Sequence, residues 1–305
     1  LSLLIVFQAT ARFTVKQLFA LIPFPPTNRL LFLVVGAHMT VSIVLLARLI
    51  YLFSALMLLW LSFAAWLRRK RAPKAGIIAL LGLCAAVYCF GSSEEISQTS
   101  LEGAQFWLHV EYLGLPWIPV FWVSLARKNL QLPNRNGLLL VIPVITFVAQ
   151  WTNSLHGLFI RSVQFLPRPP FWIVAMRRGP LDYLFLLFLY GSFIYGTWLY
   201  GVSFRSISRP FKMQELLFVL SALPPLLGYL FYFFGWSPWN LDIAPLLLTV
   251  SVAVAYYAVI RLECFDLVPM ARSLVFTSMR DAAPCSLLGG EFSSDRMSLR
   301  RFLNH

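Results

Sequence analysis

Residues Leu49–Lys74 read LIYLFSALMLLWLSFAAWLRRKRAPK. The apolar run Leu49–Leu67 carries no charge and stops at Arg68, Arg69, Lys70, Arg71 and Lys74. A helix rises about 1.5 Å per residue and a bilayer core is roughly 30 Å thick, so about 20 apolar residues cross it. Six more runs follow: Ala75–Gly91, Gln105–Leu125, Gly137–Trp151, Leu181–Phe204, Leu216–Gly235 and Asp242–Ile260. Lipid offers no partner to a free amide or carbonyl, so each run is expected to be helical across the core. Gly137–Trp151 is short enough to be a re-entrant or tilted segment. The expectation is an all-α polytopic membrane protein, a seven-transmembrane helix bundle.

Composition agrees. Of 305 residues 59% are hydrophobic and 12% charged, far from the roughly 25% charged of a soluble domain. The net charge of +13 does not indicate nucleic acid, because the bases crowd short loops beside the runs. Alternate loops hold Arg68–Lys74, then Arg127, Lys128 and Arg135, then Arg205, Arg209 and Lys212. The loops between these hold Glu94, Glu95 and Glu102, then Arg161, Arg168, Arg177 and Arg178, then no base before Asp242. This asymmetry predicts an extracytoplasmic N-terminus and a cytoplasmic C-terminus. The bilayer is thus the first partner.

Four divisions are expected. Residues 1–48 form an N-terminal segment in which Leu30–Ala47 is an eighth span or the apolar part of a signal sequence. Met39 is an alternative start. Residues 49–261 form the seven-span domain and 262–281 a connector helix. In the connector Ala271, Leu274, Val275 and Met279 recur at helical spacing. Residues 282–305 show no helix or strand period.

Little chemistry is visible inside the spans. Lys16, Lys70, Lys74, Lys128 and Lys212 all lie outside the runs, which excludes a retinal Schiff base. The cysteines and histidines lack metal-ligand spacing, so no metal or other cofactor is expected. Glu111 is the ionisable residue that stands out, about two turns into the third run; intramembrane carboxyls are costly and often functional. Trp107 lies four residues before it and shares its helix face. The alternative reading of Glu111 is an interhelical hydrogen bond. Asp182 and Asp242 sit at helix starts, where a carboxylate caps free amides. Pro116, Pro119, Pro224 and Pro225 favour kinks.

Several motifs resemble one family. They are Phe106–Trp107 with Glu111-Tyr112-Leu113-Gly114, Pro119 and Trp122, and then Trp151-Thr152-Asn153-Ser154-Leu155-His156-Gly157-Leu158-Phe159. Gly179-Pro180-Leu181, Pro225-Leu226-Leu227-Gly228 and Leu241-Asp242-Ile243-Ala244-Pro245 follow. The last are Phe265-Asp266-Leu267-Val268-Pro269-Met270-Ala271-Arg272 and Ser278-Met279-Arg280-Asp281. Together they resemble the seven-helix N-terminal sensing region of bacterial sensor histidine kinases, a module also fused to diguanylate cyclases. The resemblance implies a homodimeric, non-catalytic input module that signals through its last helix to a cytoplasmic kinase or cyclase. Trp107, Glu111, Tyr112, His156 and Asp242 are the candidate sensing residues. Asp266, Val268, Pro269, Arg272 and Arg280 are the candidate transmission residues. The tail beyond Asp281 departs from the family, so a separate effector chain or a truncated reading frame is expected. A transporter subunit and an inactive remnant are the competing readings.

Overall fold

The computed structural model describes residues 26–72, 74–133, 137–168, 170–206, 212–237, 239 and 241–262. Every apolar run lies largely within helix. Helix α1 spans Pro26–Arg68, α2 Ala75–Glu95, α3 Leu101–Gly114 and α4 Ile118–Asn129. Helix α5 spans Gly137–Trp151 and is followed by a single turn, α6, Asn153–His156. After a two-stranded hairpin come α7 (Pro180–Ser206), α8 (Lys212–Phe233) and α9 (Ala244–Tyr257), which ends in a π-helical turn, Ala258–Leu262.

Among the described residues, four helical segments are long and apolar enough to cross a bilayer: Val41–Arg68 of α1, α2, Pro180–Arg205 of α7, and α8. The shorter apolar segments have local causes. In the third run Pro116 and Pro119 deny the backbone two donors, and the chain answers with a 3₁₀ turn, Leu115–Trp117, between α3 and α4. Helix α9 reaches about 28 Å only when its π turn is counted. Helix α1 runs unbroken through residue 48.

Helix α2 is the hub, packed on α1, α3, α4 and α9. Helix α9 closes the bundle against α8, α1 and α2, while α7 bridges α4, α5 and α8. Small residues allow this. Ala75, Ala79, Ala85 and Ala86 are buried along α2, and Ser62 Oγ on α1 donates to the Ala79 carbonyl at 2.6 Å. A Cβ on Gly114 would lie 2.2 Å from the Cys84 carbonyl oxygen, and one on Gly91 2.6 Å from Glu111 Cγ. These glycines set the distance between α2 and α3. Deeper in the bundle, Tyr200 stacks on Phe218 at 4.6 Å and Trp122 on Phe193 at 5.6 Å. Phe53, Trp60, Phe63, Leu187 and Trp198 point outward, as an apolar solvent requires.

The hairpin corrects the all-helical expectation. Strand β1 (Ile160–Arg168) pairs antiparallel with β2 (Phe171–Arg178), with Val163 opposite Met176 and Phe165 opposite Val174. Its sequence alternates poorly, and Phe171-Trp172-Ile173-Val174 reads as a short apolar run, so period alone did not reveal it. Asn153 and Gly179 fasten it to the bundle. Asn153 Oδ1 accepts from the Phe159 and Ile160 amides at 3.0 and 2.9 Å, and its Nδ2 donates to the Ile160 carbonyl at 2.9 Å. The Gly179 amide donates to the Phe159 carbonyl at 2.7 Å, in a place where a Cβ would lie 2.0 Å from the Leu158 oxygen.

Candidate functional site: a carboxylate- and tyrosine-lined cavity under the hairpin

The bundle opens beneath the hairpin into a narrow cavity of about 60 Å³ that is partly open to the exterior. Helices α1, α2, α3 and α8, the hairpin and the start of α9 all contribute to its wall. Three carboxyl groups line it, Glu95, Glu111 and Asp242, together with the phenols Tyr51, Tyr88, Tyr112, Tyr229 and Tyr232.

Asp242 is held on every side. Its Oδ1 accepts from the Ala244 amide at 2.9 Å, capping α9, and its Oδ2 accepts from the Tyr88 hydroxyl. The Tyr51 hydroxyl donates to the Asp242 carbonyl oxygen at 2.6 Å. One residue therefore ties the first turn of α9 to both α1 and α2. The capping expected from sequence is present, but it is only one of its contacts.

Asp182 lies behind the lining and holds Arg178 in place. In the first turn of α7 it accepts from Arg178 Nη1 at 2.6 Å and from the Tyr112 hydroxyl at 3.5 Å. Arg178 Nη1 also lies 3.5 Å from the Tyr229 hydroxyl, so this pair links the hairpin, α3, α7 and α8. Burial works against the Arg178 charge, yet Tyr229 and Asp182 hold its pKa above the ordinary guanidinium value. The role expected for Asp182 was a helix cap; the ion pair is the contact that the fold adds.

Glu111 is 6% exposed, and its Oε1 has no hydrogen-bond partner. Close approach at Gly91 brings it against α2, with Glu95 and Ser92 within hydrogen-bonding reach. Next to it, Arg48 clasps Glu94 through Nε and Nη2, with a shortest contact of 2.6 Å, so α1 is pinned to α2 at the same end.

Of the candidates from sequence, Glu111, Tyr112 and Asp242 meet in the cavity wall. Trp107 does not line it; its ring lies edge-on to Phe90 at 5.6 Å. His156 is exposed in the α6 turn, where its Nδ1 accepts from the Leu158 amide at 2.9 Å and its Nε2 lies 3.1 Å from Thr152 Oγ1. It shapes the entry to the hairpin and stands apart from the cavity. Asp266, Val268, Pro269, Arg272 and Arg280 lie outside the described residues.

Sequence reasoning missed Tyr51, Tyr88, Glu95 and Arg178. Tyrosine in an apolar run looks like an ordinary interfacial ring, and Glu95 and Arg178 look like loop charges. It also missed a polar knot at the basic-loop end. There Lys74 Nζ donates to Asn129 Oδ1 at 2.6 Å, and Asn129 Nδ2 donates to Glu215 Oε1 at 2.6 Å and to Ser203 Oγ at 3.2 Å. This knot joins the entry of α2 to α4, α7 and α8. The polar doublet Gln214–Glu215, one turn inside an apolar helix, was its only trace in the sequence.

Fold and site together define a multi-pass membrane protein with a polar cavity at one end of its bundle. The model of the N-terminal 7TM region of histidine kinases matches residues 50–269, and the chain belongs to that family. That region is the sensory, non-catalytic part of such kinases. No curated protein matches the chain.

Proposed function

We propose that this chain is the membrane-embedded input module of a bacterial signal-transduction protein of histidine kinase type. A stimulus at the hairpin end shifts the packing of α1, α2 and α9, and the last helix carries that shift to a cytoplasmic kinase or cyclase. The observation that carries the reading is Asp242. It lines the cavity, caps the last helix and is hydrogen-bonded by Tyr51 and Tyr88 from two other helices. An event in the cavity therefore acts directly on the first turn of the helix that leads out of the bundle. Seven passes in the cytoplasmic membrane, with the hairpin outside and the basic loops inside, complete the reading, and the loop charges support it. A homodimer is part of the proposal, since two copies of the last helix would have to present a paired connector to the effector.

Signalling of this kind needs two packings whose populations the stimulus changes. The test uses the full chain, cysteine-free apart from spin labels at positions 71 and 257, in lipid nanodiscs. Asp242→Asn weakens the tie between α9 and Tyr88 and is expected to change the distance distribution between labels at the far, basic end. An unchanged distribution in both Asp242→Asn and Glu111→Gln would overturn transmission through α9.

A further inference from the structure

We propose that the cavity under the hairpin is a receptor site for a small organic ammonium cation, a protonated amine seated against Glu111 and Glu95 among tyrosine rings. This names the ligand class for the sensing role proposed above and takes its biological meaning from that role.

The charge balance of the wall is the first argument. Glu95, Glu111 and Asp242 line the cavity, and the cation among the lining residues is Arg178. Arg178 is already ion-paired with Asp182, which lies outside the lining, so its charge is answered from behind. What faces the empty space is an excess of carboxyl groups.

Those carboxyls are unequally satisfied. Both oxygens of Asp242 are occupied, by Tyr88 and by the Ala244 amide. Glu111, by contrast, has an oxygen without a partner although it is buried in the wall. A buried acceptor left unsatisfied is costly and rare, and a ligand N–H would answer it.

The rest of the lining suits a cation. The Tyr51 and Tyr88 hydroxyls are turned to Asp242, so their rings, with those of Tyr229 and Tyr232, furnish the walls. Aromatic faces beside carboxylates attract an alkylammonium by cation–π and charge-assisted contacts together. A divalent metal fits less well: among the described residues no group of three or more His, Cys, Asp or Glu side chains is placed to hold one. Trp172 and Met176 of the hairpin complete the lining, which places a fluorophore at the site.

The experiment measures binding to the full chain in phosphatidylcholine nanodiscs. The probes are ethanolammonium and trimethylammonium chloride, with potassium chloride and ethylene glycol as charge-only and shape-only controls. Saturable thermal stabilisation by at least one amine is expected, with neither control reproducing it. Glu111→Gln and Glu95→Gln should each weaken it by roughly tenfold or more, the loss of a charge-assisted contact. Gel filtration and circular dichroism establish that both variants are folded, and Leu138→Ala, an exposed position on α5, should bind as the parent does. Absence of saturable binding by both amines overturns the proposal, as does undiminished binding in folded Glu111→Gln. A response to pH alone, with no effect of amine, would make the proton the ligand and equally overturn it. The two readings fail separately. Amine binding that leaves the spin-label distances unmoved defeats sensing and leaves the site standing. Mutations that move the labels in a protein blind to amines do the reverse.

Discussion

Arg178 and Asp182 form the residue pair whose removal should be felt most. Side-chain exposures of 15% and 3% mean that neither partner can turn to water when the other is lost. Asp182→Ala leaves a buried guanidinium facing Tyr112 and Tyr229, and a cost of about 3–5 kcal/mol is expected. Arg178→Met with Asp182→Leu removes both charges, and its melting temperature in detergent should lie above that of Asp182→Ala. The glycines of α2 and α3 make a second comparison. An alanine at position 114 drives its Cβ into the Cys84 carbonyl, a backbone atom, whereas at 91 the nearest atom is Glu111 Cγ. Gly114→Ala should therefore be the more damaging, by about 1–3 kcal/mol, despite the helix propensity that alanine adds. Gly91→Ala should instead displace Glu111 and weaken the amine binding described above.

The hairpin depends on the Asn153 staple. Three hydrogen bonds from one side chain hold the start of β1 against the α6 turn. Asn153→Ala should raise amide hydrogen exchange across 158–178 while the helices remain protected, because the loss is local. Uniform deprotection would show that the hairpin and the bundle unfold as one unit. At the other end, Asn129 is the hinge of the polar knot between the entry of α2 and helices α4, α7 and α8. Asn129→Ala leaves Lys74 and Glu215 each short of one partner and should destabilise the protein by about 1–3 kcal/mol in thermal melts. The motif around Trp151–Phe159 owes its form to this architecture. Asn153 staples the loop, and Gly157 ends the α6 turn at φ 59°, in the left-handed region that glycine enters freely. His156 accepts from the Leu158 amide just beyond the same turn.

Across the whole molecule, the proposed orientation has a direct check. In a cysteine-free background, Cys at position 161 on β1 should react with a membrane-impermeant maleimide in intact cells, and Cys at position 71 only after permeabilisation. The reverse pattern would invert the protein and place the cavity on the effector side. The long apolar helices were legible in residue order, because helix formation in lipid is settled within a segment of about 20 residues. The breaks at Pro116 and Pro119 were visible for the same local reason. The cavity was not. Tyr88 and Asp242 are separated by 154 positions and Tyr51 and Asp242 by 191, and no periodicity relates such pairs. Their meeting, like the burial of Glu111 beside Glu95 and the departure of Trp107 to the Phe90 side, follows from how closely α2 lets its neighbours approach. That distance is a property of packed glycines and alanines on facing helices, and it exists only once the helices are assembled.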